Sequence, residues 1–170
     1  MDSELPLDAQ RSLDAAEGWL GLGDHLSANE ELEEIPATLR AHPNVLLVRY
    51  RIYGKTLRWE ACVDIAEATI KQAPQIAEGW INRSFALHEL KRTKEAYESL
   101  LPVASKFPDE WPIPYNLACY CCQLGNCEEA EFWFKEAMKV NEEVVKRVAI
   151  EDPDLDPLWQ SRSDSRWKAI

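Results

Sequence analysis

A spacing of 34 residues constrains this chain more than any other feature. Between Ala77 and Glu142, Trp80, Arg83, Ser84, Leu87, Ala96, Leu100 and Pro108 recur in register as Pro114, Leu117, Ala118, Cys121, Ala130, Phe134 and Glu142, each 34 residues on. Within each copy the apolar residues fall three and four apart, which is helical periodicity. Two such helices joined by a turn make a hairpin that cannot bury its apolar stripe alone. Stacked copies can, and about three are needed.

The order Trp80-x2-Arg83-Ser84-x2-Leu87, then Ala96-x3-Leu100, then Pro108 resembles the tetratricopeptide repeat (TPR), whose pattern W-x2-L-G-x2-Y, A-x3-F, P has this period. The resemblance covers roughly residues 15–142. It implies an all-α, right-handed superhelical solenoid of about four hairpins with a C-terminal capping helix. It also implies protein–protein interaction, although a fold alone does not fix a function. In size and repeat content the chain is similar to a kinesin-light-chain-like partner of bacterial tubulin.

Carrying the register outward places hairpins at about residues 8–43, 44–76, 77–110 and 111–142, a cap at 143–160 and a polar tail at 161–170, with no Gly/Ser linker between them. The first helix is expected over Leu5–Gly21, ended by Gly21 and Gly23. Ser27 and Glu30 match a capping box for the next helix, which runs to about His42 and is kinked or split by Pro36. Pro43, read as the closing proline, stands only 31 residues before Pro74 and makes this hairpin irregular. The second hairpin reads as Asn44–Thr56 and Arg58–Ala73. Tyr50 stands where Ser84 and Ala118 stand, so a wider first groove is expected. The third reads as Ala77–Leu90 and Thr93–Phe107. The fourth reads as Trp111–Leu124 and Asn126–Val140, with Pro112 or Pro114 at its start. Asn141–Ile150 makes a cap helix with Val144, Val145 and Val148 inward, and Leu158 and Trp159 tuck back onto it.

Composition narrows the partners. The 170 residues carry a formal charge of −11, which disfavours phosphate backbones and anionic lipid. Residues 1–43 hold ten acids against Arg11 and Arg40, a net of −8, and these are read as solvated helix faces. Neither a secretory signal nor an apolar run of membrane-spanning length occurs. A soluble cytoplasmic protein with reduced cysteines is the expectation.

The first helices of successive repeats line the inner wall of such a stack. The register nominates Leu47, Arg51 and Lys55 from the second repeat, Ile81, Asn82, Phe85, His88 and Glu89 from the third, and Tyr115, Asn116, Cys119, Cys122 and Gln123 from the fourth. Apolar and aromatic positions interleaved with polar ones suit an extended segment or a partner helix. Asn82 and Asn116 share a slot and resemble two rungs of the asparagine ladder of peptide-binding TPR proteins, with Val48 in the matching slot before them. The carboxylate-clamp pattern of the family is missing its Lys and Arg, because the slots hold Glu78, Asn82, Pro112 and Asn116. Arg51 and Lys55 remain able to receive one carboxylate.

Cys119, Cys121, Cys122 and Cys127 do not make a closed four-ligand zinc set, and they are read as core and groove-lining thiols. His25, His42 and His88 fall in different repeats, and no phosphate-binding loop, nucleophile elbow or metalloprotease motif occurs. A cofactor-free, non-enzymatic adaptor for a protein or peptide partner follows. The alternatives are an assembly or cytoskeletal factor working through the convex face or the ends, by self-association included, a secretion-type chaperone, and a regulatory subunit. The register has a direct test. Ala130→Phe should overpack the helix contact and cost roughly 1–3 kcal/mol, and an unchanged urea midpoint would rule the register out.

Overall fold

Each helical hairpin turns on one residue in the left-handed backbone region. Gly23, Leu57, Lys91 and Gly125, successive positions 34 apart, have φ of +83°, +55°, +63° and +80°. The hydrogen bonds repeat with them. Gly23, Leu57, Lys91 and Gly125 donate their N–H to the carbonyls of Leu20, Gly54, His88 and Cys122. The next residues, Asp24, Arg58, Arg92 and Asn126, donate to Trp19, Tyr53, Leu87 and Cys121. This is the double bond of a helix C-terminus closed by a left-handed residue. The 34-residue period therefore runs through the first hairpin as well.

Each turn closes one hairpin in a computed structural model that describes residues 4–160, among which there are ten α-helices. They are α1 (Leu7–Gly21), α2 (His25–Glu34), α3 (Pro43–Lys55), α4 (Trp59–Gln72), α5 (Ala77–Glu89), α6 (Thr93–Leu100), α7 (Pro112–Gln123), α8 (Cys127–Val140), α9 (Glu142–Ala149) and α10 (Asp156–Gln160). Short 3-10 turns cover Ala37–Leu39, Leu101–Val103 and Pro153–Leu155, and no strand occurs among the described residues. The all-α hairpin architecture is the one the spacing predicts. The polar tail expected at 161–170 lies outside the described residues.

The chain forms two compact units, Met1–Ala86 and Leu87–Ile170, divided within α5. In the first, α1 packs on α2, α3 on α4, and α1 and α2 on α3. Its core joins Leu13, Ala16 and Leu20 with Leu32, Ile35, Val45 and Ile52. The start of α5 comes so near α4 that a Cβ on Gly79 would lie 3.3 Å from the Ile70 backbone nitrogen. In the second unit, α6 and α8 pack on α7, and α9 on α8. The 3-10 turn Pro153–Leu155 lies on α7, and α10 on α7 and α8. Leu158 is buried, and the Trp159 ring stands edge-on to Phe134 of α8 at 5.4 Å, so the segment tucks back onto α7 and α8 and not, as expected, onto the cap helix. One slot of the second helix is fully buried in all four hairpins: Ala28, Cys62, Ala96 and Ala130.

Three local expectations are corrected. Asp24, not Ser27, caps α2. Its carboxylate accepts from the N–H of Leu26 and Ser27 at 3.1 and 3.0 Å, and from the Ser27 hydroxyl at 2.7 Å. These bonds, the Ser27 N–H first, hold the Asp24 carboxyl below its usual range. Pro43 does not close the first hairpin but opens α3, where its missing N–H costs nothing; His42 precedes it as the cap. The slot of Pro74 and Pro108 belongs to Arg40, whose Nε donates to the Ile35 carbonyl at 2.7 Å. The helix expected to run from Thr93 to Phe107 stops at Leu100, because Pro102 has no N–H to continue it. Of the kink or split expected at Pro36, the split is what occurs: α2 ends at Glu34 and a 3-10 turn follows.

Leu57 and Lys91 hold a conformation that costs a residue with a Cβ roughly 1–2 kcal/mol. Leu57 is 71% exposed, so its side chain contributes little. Leu57→Gly should therefore raise stability by about 0.5–1 kcal/mol after the entropy cost of glycine, read as a higher urea midpoint, and Lys91→Gly should act in the same direction.

Candidate functional site

An open cleft of about 420 Å³ lies in the first unit. Leu13 from α1 and Leu47 and Val48 from α3 line it together with Gln10, Glu17, Asn44, Arg51, Glu78 and Asn82. The period explains the gathering. Leu13 and Leu47 share one slot, Gln10, Asn44 and Glu78 a second, and Glu17 and Arg51 a third. The last two meet as an exposed ion pair, with Arg51 Nη1 2.8 Å from Glu17 Oε1. Tyr50 also lines the cleft, and its hydroxyl donates to the Asn82 carbonyl at 2.8 Å. A bulky residue at a small-residue slot is thus held by a hydrogen bond between neighbouring first helices.

Of the residues nominated from sequence, Leu47, Arg51 and Asn82 line this cleft. Lys55 is exposed and Ile81 half-buried outside its lining. Phe85 is 40% exposed and stands edge-on to Trp59 at 5.7 Å. Sequence reasoning did not nominate Gln10, Leu13, Glu17, Asn44, Val48, Tyr50 or Glu78. For Gln10, Leu13 and Glu17 the signal is the same period carried one repeat further back, obscured when Pro43 is treated as a closing residue.

The nominated wall of the second unit has a different state, because the chain itself occupies it. Tyr115, Cys119, Cys122 and His88 are buried, while Asn116 and Glu89 are half-buried. The Tyr115 hydroxyl donates to Asp152 Oδ2 at 2.6 Å, and Cys119 Sγ approaches the same oxygen at 3.6 Å. His88 Nε2 meets Asp154 Oδ2 at 2.9 Å, and Nδ1 lies 2.9 Å from the Thr93 hydroxyl. The His88 ring stacks at a tilt on Tyr120, with centroids 5.0 Å apart. Gln123 Nε2 donates to the Asp154 carbonyl at 3.0 Å. Asp152 Oδ1 accepts the Asp154 N–H at 3.0 Å, which folds the segment into a short turn. Sequence reasoning assigned Asp152 and Asp154 no role. Tyr115 and His88, buried polar groups that need partners, carried that signal.

Burial decides the chemistry of the thiols. It pushes Cys121 and Cys122 up to about 12 and Cys119 well above the usual thiol range, with Asp152 adding to the last effect. Neutral thiols are poor nucleophiles and poor metal ligands. Among the described residues no group of three or more His, Cys, Asp and Glu is gathered as a metal would require, and no helix is long and apolar enough to cross a membrane.

No known family's sequence profile matches this chain, and no curated protein matches it in sequence. Its structural neighbours are informative. A thermophilic TPR protein of Thermus thermophilus superposes with a TM-score of 0.71 at 17% identity, covering 95% of each chain. The fold is that of the tetratricopeptide repeat. PilF of Pseudomonas aeruginosa follows with a TM-score of 0.70 at 16% identity, over 94% of this chain and 79% of its own. MamA of Desulfovibrio magneticus RS-1 gives 0.65 at 17%, over 80% and 77%. At these identities the likeness is one of TPR architecture.

The His88 contact, foremost, holds the Asp154 carboxyl below its ordinary value of 3.8. A depressed carboxyl stabilises the fold fully above that value, and the contribution fades as pH falls below it. Asp154→Asn should lower the urea midpoint at neutral pH, and the gap to wild type should close as pH falls through and below 3.8. A gap independent of pH would show that the Asp154 charge is not what His88 holds. Tyr115→Phe leaves the Asp152 carboxylate short of a donor and should cost about 1–3 kcal/mol.

Proposed function

We propose that this chain is a non-enzymatic scaffold that binds an extended segment of a partner protein in the cleft of its first unit. The observation that carries the reading is the lining itself. Leu13, Leu47 and Val48 supply an apolar floor, while Gln10, Asn44 and Asn82 offer amide donors and acceptors beside it. That combination suits a peptide, whose side chains take the floor and whose backbone takes the amides. The Glu17–Arg51 pair places both signs of charge on one rim, so a partner carrying either can be oriented. Likeness of fold to a TPR protein supports the class. A net charge of −11 disfavours nucleic acid. Five free cysteines, four of them buried, suit a reducing cytoplasm.

A second reading has its own observation. Phe132 on α8 is 53% exposed and edge-on to Trp133 at 5.0 Å, an apolar pair on the second helix of its hairpin rather than the first. An assembly factor working through the outer helices would use it. One capture experiment separates the two. Partners are crosslinked and recovered with wild type, with Arg51→Ala/Asn82→Ala and with Phe132→Ser, each checked by circular dichroism. The cleft reading expects the double variant to lose its partner by about tenfold or more, and Phe132→Ser to retain it. The reverse pattern would transfer the function to α8.

A further inference from the structure

Positions that are open in one unit are filled in the other. Leu47 and Arg51 on α3 line the first-unit cleft, and 34-residue steps carry them through Ile81 and Phe85 to Tyr115 and Cys119 on α7. Against those two residues, and Gln123 one turn further, lies Asp152–Leu155. The chain reaches this wall because its fifth first helix is cut short. α9 has eight residues where α1, α3, α5 and α7 have 15, 13, 13 and 12. Ile150, 76% exposed, and Glu151 then lead back across α7.

The contacts have the form of ligand recognition. Two carboxylates two residues apart meet separate donors, Tyr115 Oη for Asp152 and His88 Nε2 for Asp154. A side-chain amide, that of Gln123, reads the backbone between the acids and the apolar residue. Leu155, next in sequence, is wholly buried. The donors are themselves fixed: His88 is held by the Thr93 hydroxyl on Nδ1 and stacked on Tyr120. Prolines 153 and 157 stiffen the segment and lower what it loses in entropy on docking.

We propose that Asp152–Leu155 is a built-in occupant of a peptide-binding wall, and that this wall accepts a partner segment of the same chemistry, two carboxylates two residues apart followed by a leucine-sized side chain. The occupant is tethered by two residues beyond α9, so its effective concentration is high and a free segment must compete with it. Affinity for a partner is then reduced by the fraction of time the wall is closed. This second site is separate from the first-unit cleft and is read with a different probe.

The probe is a fluorescein-labelled synthetic peptide of residues 150–160, titrated by anisotropy into the full chain. The full chain with Asp152→Asn/Asp154→Asn, whose own segment is weakened, should bind the peptide at least tenfold more tightly than wild type. A peptide carrying the same two changes should bind more weakly than the acidic one. Arg51→Ala/Asn82→Ala should leave peptide binding unchanged. Binding to neither protein, or equally to both with circular dichroism preserved, would overturn the proposal and leave the segment a plain cap. Loss on Arg51→Ala/Asn82→Ala would overturn it in favour of the first-unit cleft. If the Asp152/Asp154 variant does not fold, hydrogen exchange on wild type decides. Saturating peptide should speed exchange at the Asp154 and Leu155 amides, and unchanged rates would overturn the proposal.

Discussion

The close approach of α1 to α2, of α3 to α4 and of α7 to α8 is the constraint on which the rest depends. It needs a small side chain where they touch and a sharp reversal just beyond. Ala28, Cys62 and Ala130 meet the first need and expose no surface. Gly23, Leu57, Lys91 and Gly125 meet the second by entering the left-handed region. A larger residue at the contact would push the helices apart. Without the left-handed residue the second helix would leave at another angle and bury a different stripe. Two turns use glycine, and two force a Cβ-bearing residue into place. Tertiary packing therefore outweighs a local backbone cost of roughly 1–2 kcal/mol at each of these two turns.

This explains how much of the fold could be read from the residues. Hairpin number, helix type and the 34-residue register follow from apolar spacing and small residues, which are side-chain properties and visible in the chain. Left-handed turns at Leu57 and Lys91 are not visible, because nothing in leucine or lysine favours that conformation; tertiary packing imposes it. The first hairpin reads as irregular for a related reason. Its prolines match the closing prolines of later repeats in kind but not in role, since Pro36 breaks α2 and Pro43 opens α3. Arg40, at the slot of Pro74, finishes the hairpin by bonding the Ile35 carbonyl. A proline marks where a helix cannot continue, and the same residue can stand at its end or its beginning.

The candidate site divides in the same way. Leu47, Arg51 and Asn82 could be nominated because their slots repeat, and they do line the cleft. Tyr115, Cys119 and His88 were nominated on the same ground and are buried. The register says which residues face the wall. It is silent on what else faces them, because a non-repeating segment of chain has no register. Such a segment announces itself only through satisfaction of polar groups: a buried phenol and a buried imidazole require partners, and Asp152 and Asp154 supply them from 37 and 66 residues away.

A repeat array must end, and the way this one ends carries its own logic. An unpaired last helix leaves an apolar stripe in water, so a terminal element needs a polar outer face. α9 supplies one, with Glu142, Glu143 and Arg147 outward and Val145 and Ala149 buried. A longer α9 would continue the inner wall. Instead Pro153 prevents it, and the chain returns over α7. The return satisfies Tyr115 and His88 with carboxylates and buries Leu155 and Leu158. Any segment that replaced it would have to offer both acids and the apolar side chain together. An acid-only peptide would leave the leucine site wet, and an apolar one would leave two buried donors unpaired. The polar pair sets which segments fit, and the leucines set how firmly they are held.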